Sequence, residues 1–203
     1  MIDAKIRAHV GSFKVSADIE SSGVTCIAGR NGAGKTTLMK ALAGFIRLDE
    51  GNLSVGGVEV GRLPVEKRGI VLVTPSACFP HLDVRSHIVW GARIRGLSPS
   101  EDEVSKMRRD LGIDFEGPVR NLSLGMRERV SLATALLARP RAVLVDEVFS
   151  SLHDREEFVK TYGSLAGASG VELVFTSQDE ADGRMADKLY VLKEGTASLA
   201  SVL

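Results

Sequence analysis

The 203 residues are 44% hydrophobic and 26% charged, an ordinary balance for a folded protein and enough chain for a sizeable core. Twenty-six basic residues offset 26 acidic ones; a net charge of zero argues against a broad basic face for nucleic acid and lends no support to binding at an anionic membrane. No stretch approaches the ~20 apolar residues that span a bilayer, and Met1-Ile2-Asp3-Ala4-Lys5 lacks the apolar core of a signal peptide, so a membrane role is expected only through a partner.

Along the chain, Ile6–Val10 and Phe13–Ile19 alternate in part and read as strands joined at Gly11-Ser12. Val24–Ala28 is a short apolar run ending at Gly29, the pattern of a buried strand that feeds a loop. Lys35–Leu42 sets Leu38, Ala41, Leu42 and Phe45 at helical spacing, with Gly44 where a helix ends. Leu53–Val55 and Val58–Val60 flank a hairpin turn at Gly56-Gly57. From about Asp83 to Ala138 the pattern is helical, with helices predicted over Val84–Arg95, Glu101–Leu111 and Met126–Ala138. Ala142–Val145, Val171–Thr176 and Leu189–Leu192 read as strands, separated by a helix over Arg155–Leu165 and a short one over Glu180–Met185. Little chain follows Gly195, and no further domain is expected there. Cys26 and Cys78 stand far apart and are expected to be small buried thiols rather than a disulfide or metal pair.

Gly29-Arg30-Asn31-Gly32-Ala33-Gly34-Lys35-Thr36 matches G-x-x-x-x-G-K-[ST] in full, between a predicted strand and a predicted helix. Glycines let backbone N–H groups wrap an anion without Cβ clashes, and the helix that follows, opening on Thr36-Thr37, adds the positive end of its dipole. Lys35 is expected at the β- and γ-phosphates and the Thr36 hydroxyl on Mg²⁺. Ala142-Val143-Leu144-Val145-Asp146-Glu147 is an apolar strand that ends in two acids. Strand C-termini of a parallel sheet face the ligand crevice. Asp146 is then placed to hold the metal, and Glu147 to polarise an attacking water. The expected fold is α/β: a phosphate-loop nucleoside-triphosphatase core with a mostly parallel sheet. An antiparallel N-terminal part and a helical subdomain (83–138) complete one domain over 1–203.

Between the two motifs lies Asn121-Leu122-Ser123-Leu124-Gly125-Met126-Arg127-Glu128-Arg129-Val130-Ser131-Leu132-Ala133, which resembles the L-S-G-G-Q signature and following helix of ABC ATPases. Pro140 fits too, and Phe79-Pro80-His81-Leu82-Asp83-Val84 looks like the F-P-H-L-T-V segment of importer subunits. Gly23–Gly29 and Leu63-Pro64-Val65-Glu66-Lys67-Arg68 are similar to the ATP-binding subunits of molybdate, tungstate and related oxyanion importers. The resemblance covers nearly the whole chain. It implies a cytoplasmic ATPase held peripherally at the inner face of the cell membrane by a permease, which Thr74–Val84 would touch. A second ATP-binding subunit, the same or different, would close over two ATP molecules, with Ser123 and the Gly125 N–H meeting the γ-phosphate across the dimer. A soluble non-transport ABC ATPase and a subunit that binds ATP without hydrolysing it are the alternatives.

The departures cluster at the γ-phosphate. Thr74 stands for the glutamine of the glutamine loop, Leu124 and Met126 for a glycine and the glutamine of the signature, Val148 for a proline, His153 for the aspartate of the following loop and Ser177 for the switch histidine. Each substitution removes reach, charge or close approach where γ-phosphate charge must be stabilised. The retained Lys35, Thr36, Asp146 and Glu147 favour slow hydrolysis over binding alone. Phe13 is the nearby aromatic candidate for stacking on adenine, and His81 and His87 are expected on a partner-facing or solvated surface.

Overall fold

The computed structural model describes residues 1–75 and 77–202. Ser76, inside the segment expected to meet a permease, lies outside the described residues. Strands β1 (Ile2–Val10) and β2 (Phe13–Ser21) form an antiparallel hairpin in register from Ile2↔Ser21 to Val10↔Phe13. β1 begins four residues before the predicted start because Ile2, Ala4, Ile6 and Ala8 continue one buried face. β3 (Val24–Ala28) is the predicted buried strand, and α1 (Lys35–Ala43) follows, closed by Gly44 in the left-handed region. The buried Arg68 guanidinium donates to the carbonyls of Ala41 and Leu42 and so satisfies the end of α1. β4 (Leu48–Val55) and β5 (Val58–Glu59) turn at Gly56-Gly57, with φ +59° and +75°, the double positive φ that a tight hairpin requires.

β6 (Ile70–Val73) is a short apolar strand that was not among the predicted elements. The helices α2 (Val84–Ile94), α3 (Glu101–Asp110) and α4 (Leu124–Leu137) come next. α3 opens with a capping box between Ser100 and Glu103. α4 starts two residues before the predicted Met126, because Ser123 caps it and Leu124-Gly125 already lie in the first turn. β7 (Ala142–Val145), α5 (Arg155–Ala168), β8 (Glu172–Ser177), β9 (Lys188–Lys193) and β10 (Thr196–Val202) complete the chain. The segment Glu180–Met185 is a 3-10 helix rather than an α-helix. β10 follows Gly195, where no element was predicted; it pairs antiparallel with β9 and parallel with β2, joining the two halves of the sheet.

The ten strands lie in the order β5-β4-β1-β2-β10-β9-β3-β8-β7-β6. β9, β3, β8, β7 and β6 run parallel to one another; the N-terminal strands are antiparallel. Alternation along β7 divides the core: Val143 and Val145 face the layer of α2, α4 and α5, whereas Ala142 and Leu144 face α1 and the N-terminal strands. Phe149, Phe158, Tyr162 and Phe175 form an aromatic group in the first layer. Cys26 and Cys78 are both free, Cys26 buried and its thiol pushed up to about 12 by burial.

Glu128 on α4 is 3% exposed, and among the described residues its Oε2 meets no hydrogen-bond donor. Burial lifts its carboxyl from 4.5 to about 7. A raised carboxyl means that the unfolded chain gives up the proton first. Stability is therefore full below about pH 4.5, falls as pH rises toward 7 and levels off above it. Glu128→Gln, which cannot ionise, is expected to remove this slope. Thermal unfolding at pH 5 and pH 8 should show wild type losing on the order of 2 kcal/mol more than the variant.

Candidate functional site

Three neighbouring strands, β3, β8 and β7, deliver the functional side chains from their C-terminal ends, the edge at which parallel sheets bind ligands. β3 runs into Gly29–Gly34. Gly32 and Gly34 have φ +80° and +106°, which side-chain-bearing residues rarely adopt, and a Cβ on Gly29 would stand 2.5 Å from the Leu192 carbonyl oxygen. Gly34 is the N-cap of α1 and has no side chain to cap it, which leaves the first N–H groups of the helix to meet an anion. A cleft of about 400 Å³ opens here, lined by Asn31, Gly32, Gly34, Lys35, Thr36, Thr37 and Glu147 among others. Phe13 lies against Gly34 at the wall of this cleft. It also borders the adjoining cleft, about 820 Å³, with Gly29, Arg30 and Ala33.

Lys35 is 4% exposed. Its Nζ donates to the carbonyls of Gly29 (2.8 Å) and Arg30 (3.2 Å) and sits 3.0 Å from Glu147 Oε1. The two residues given separate parts in the sequence are thus an ion pair. Thr36 Oγ1 donates to Asp146 Oδ2 at 2.7 Å, and the other oxygen of this buried carboxylate accepts from Thr176 Oγ1 at 2.8 Å. Thr176 in turn accepts the backbone N–H of Glu147 at 2.9 Å, so one hydroxyl fixes both acids. Glu147 has φ +59°, a left-handed conformation that costs a non-glycine residue roughly 1–3 kcal/mol and that accompanies functional sites. Burial opposes ionisation of Glu147 most strongly, but the Lys35 ammonium and the Gln178 amide together hold its carboxyl below the usual glutamate range. Thr36 and Asp146 converge as two oxygen donors, which suits a small hard cation such as Mg²⁺.

Ser123 and Gly125 lie in a different depression, of about 340 Å³, none of whose lining residues lines the two clefts beside the phosphate loop. Ser123 Oγ accepts the Met126 N–H at 3.3 Å as the cap of α4, and Leu124 is 49% exposed beside it. His153 stands exposed in the same depression, and Asp154 pairs with Arg129. Thr74 is half-buried just past β6. In the segment after it, Ser131 Oγ donates to the Ala77 carbonyl at 2.6 Å, and the Phe79 ring lies 4.0 Å from that of Trp90, which is 37% exposed.

Two expectations are overturned. His87 is buried, 1% exposed, because it falls on the face of α2 that carries Val84, Ile88 and Ala92. Its Nε2 accepts the Phe79 N–H (3.0 Å) while Nδ1 meets Thr134 Oγ1 (2.8 Å), and burial depresses its basicity, so it is a neutral core residue. His81 remains exposed. Ser177 does not offer its hydroxyl to the cleft: it donates to the buried Asp182, which Arg155 also binds at 2.7 Å. The sequence reading passed over Thr176, Gln178, Asp182 and Arg155. Thr176 could have been found as the polar residue ending the strand beside the Asp146–Glu147 strand.

A family profile described as ABC transporter matches residues 13–150. The molybdenum import ATP-binding protein ModC of Rhodobacter capsulatus is 36% identical over 214 residues, covering 98% of this chain and 58% of that protein. The thiamine import ATP-binding protein ThiQ of a Jannaschia species is 33% identical over 208 residues, 98% of this chain and 91% of that protein. The chain spans 58% of the length of the Rhodobacter capsulatus ModC and of the ModC of Rhizobium meliloti. Among solved structures, the dimeric post-hydrolysis ATP-binding cassette MJ0796 bound to ADP and Pi superposes with a TM-score of 0.81 at 16% identity, covering 100% of this chain and 99% of that one. CbiO1 from Clostridium perfringens gives 0.78 at 23%, covering 98% and 86%. These likenesses establish the fold.

Proposed function

Because this chain belongs to the ABC transporter family, we propose that it binds MgATP at Gly29–Thr37, hydrolyses it slowly, and powers a membrane importer by ATP-driven dimer closure. The observation that carries this reading is the convergence of Lys35, Thr36, Asp146 and Glu147 at adjoining strand ends, within 3.0 Å of one another in pairs. The loop N–H groups and the α1 terminus would bind the phosphates, and Lys35 would leave Glu147 for the β- and γ-oxygens. Thr36 and Asp146 would hold Mg²⁺, which neutralises charge on the phosphate oxygens. Freed of Lys35, Glu147 would take the proton of an attacking water. Phe13, at the wall of the cleft, would support the base.

Ser123 and Gly125 would meet the ATP of a second ATP-binding subunit, and the exposed Leu124 there limits how closely that phosphate approaches, which favours slow turnover. Relatives named for molybdenum, ferric iron and thiamine import match at 33–36% identity.

No helix among the described residues is long and apolar enough to cross a membrane. In this reading the chain sits at the inner face of the cell membrane through a permease, docked by Thr74–Val84 beside Phe79 and Trp90. A tagged chain solubilised from native membranes in mild detergent should carry a multispanning protein in near-equal amount, and Trp90→Asp should release it. Recovery of the chain alone, with ATP binding intact, would count against the transporter assignment and favour a soluble ABC ATPase.

A further inference from the structure

The residue at the end of β8 that reaches the cleft is not the one that the family resemblance aligns with the switch histidine. Side chains alternate across a strand. Phe175 and Ser177 face the layer of α5, where the Ser177 hydroxyl donates to Asp182 and accepts the Asp179 N–H at 3.1 Å. Asp182 is 2% exposed and is also held by Arg155, so the Ser177 hydroxyl is fully engaged inside the fold. Thr176 faces the other way, onto Asp146 and Glu147. Gln178, immediately past the strand, continues on the side of Thr176: its Nε2 donates to Glu147 Oε2 at 3.2 Å, while Lys35 holds Oε1 at 3.0 Å.

We propose that Gln178 is the positioning residue of Glu147, and that Ser177 is a structural residue of the Asp182–Arg155 network. This rests on the reading of Glu147 as the group that activates water. The chemistry follows from the two carboxylate oxygens. Before nucleotide binds, Glu147 is spanned by Lys35 on one oxygen and Gln178 on the other. When phosphate draws Lys35 away, Oε1 is freed to accept a proton from water, and the Gln178 amide remains on Oε2. A neutral carboxamide holds the carboxylate in direction without the charge that would compete for it, and Gln178 is exposed enough to follow a small movement of Glu147.

The test is a double-mutant cycle on the full chain: wild type, Gln178→Ala, Glu147→Gln and the double variant, with Gln178→Glu, Gln178→His and Ser177→Ala beside them. Gln178→Ala should lower kcat about 10- to 100-fold, the usual effect of a misaimed catalytic group, and leave KM for ATP within about threefold. Gln178→Glu keeps the shape, loses the donor and sets a like charge against Glu147, so it should be at least as slow. Gln178→His keeps a donor and should recover most of the rate. In the Glu147→Gln background, removing Gln178 should change nothing further. Ser177→Ala should lower the melting temperature and leave kcat within about threefold. Wild-type kcat in both Gln178→Ala and Gln178→Glu, beside a dead Glu147→Gln, would overturn this assignment while leaving the function intact. If wild type itself does not turn over, the proposed function fails, and MgATP affinity across the same four chains decides the pairing. Non-additive effects of Gln178→Ala and Glu147→Gln uphold it, and additive effects overturn it.

Discussion

Lys35→Ala is expected to weaken MgATP binding about 100-fold or more, roughly 3 kcal/mol, at the upper end of what a charge-assisted hydrogen bond contributes. The side chain is 4% exposed and already points across the cleft floor, held by two loop carbonyls and by Glu147. Little side-chain freedom is left to lose when phosphate arrives, so most of the new attraction appears as affinity. Alanine also leaves Glu147 without its cation, and an unpaired carboxylate at the mouth repels a triphosphate. Calorimetric titration of MgATP into both chains checks this, with circular dichroism melts to establish that the variant is folded. Equal affinities in two folded chains would mean that Gly29–Thr36 does not hold the phosphates.

Glu147→Gln is expected to reduce turnover by about 10²- to 10⁴-fold, the span attributed to a positioned general base. The substitution keeps the shape and removes the basic oxygen, so MgATP should still bind. It also removes the charge that competes for Lys35 in the nucleotide-free chain, which should make binding somewhat tighter rather than weaker. Loss of rate with gain of affinity separates a chemical part for Glu147 from a binding one.

The phosphate loop was legible because its chemistry leaves little choice: glycines at positive φ, a lysine and a hydroxyl at fixed spacing, between a strand and a helix. β3 and β7 were read to the residue, since four or five consecutive apolar residues ending in Gly29 or in Asp146-Glu147 admit one interpretation. β6 and β10 were not. Ile70–Val73 is an apolar run as long as β7 and was passed over because no motif residue marks its end, and Thr196–Val202 is a run of small and polar residues that becomes a strand by pairing with β9 and β2. That dependence on tertiary partners is invisible in local propensity.

At the site, the residue types were legible and their directions were not. The family resemblance aligned Ser177 with the switch histidine at the γ-phosphate, whereas the alternation of β8, anchored on Phe175 as core, puts Thr176 and Gln178 toward the cleft. The buried acid Asp182 offered no signal, because its partners Arg155 and Ser177 are distant in sequence or on another element. His87 was misjudged for a similar reason: the helical period of α2 places it inward, and its polar atoms are satisfied by Phe79 and Thr134.

Steady-state MgATP hydrolysis by the purified chain, measured beside Glu147→Gln at equal concentration, tests the central claim most directly. Slow but measurable phosphate release by wild type, at least about 100-fold above the variant, with both chains binding ATP, is the predicted result. Equal release by the two chains, or silence from both while ATP still binds, would contradict Glu147 as the catalytic acid–base group and make this chain a subunit that binds nucleotide without using it.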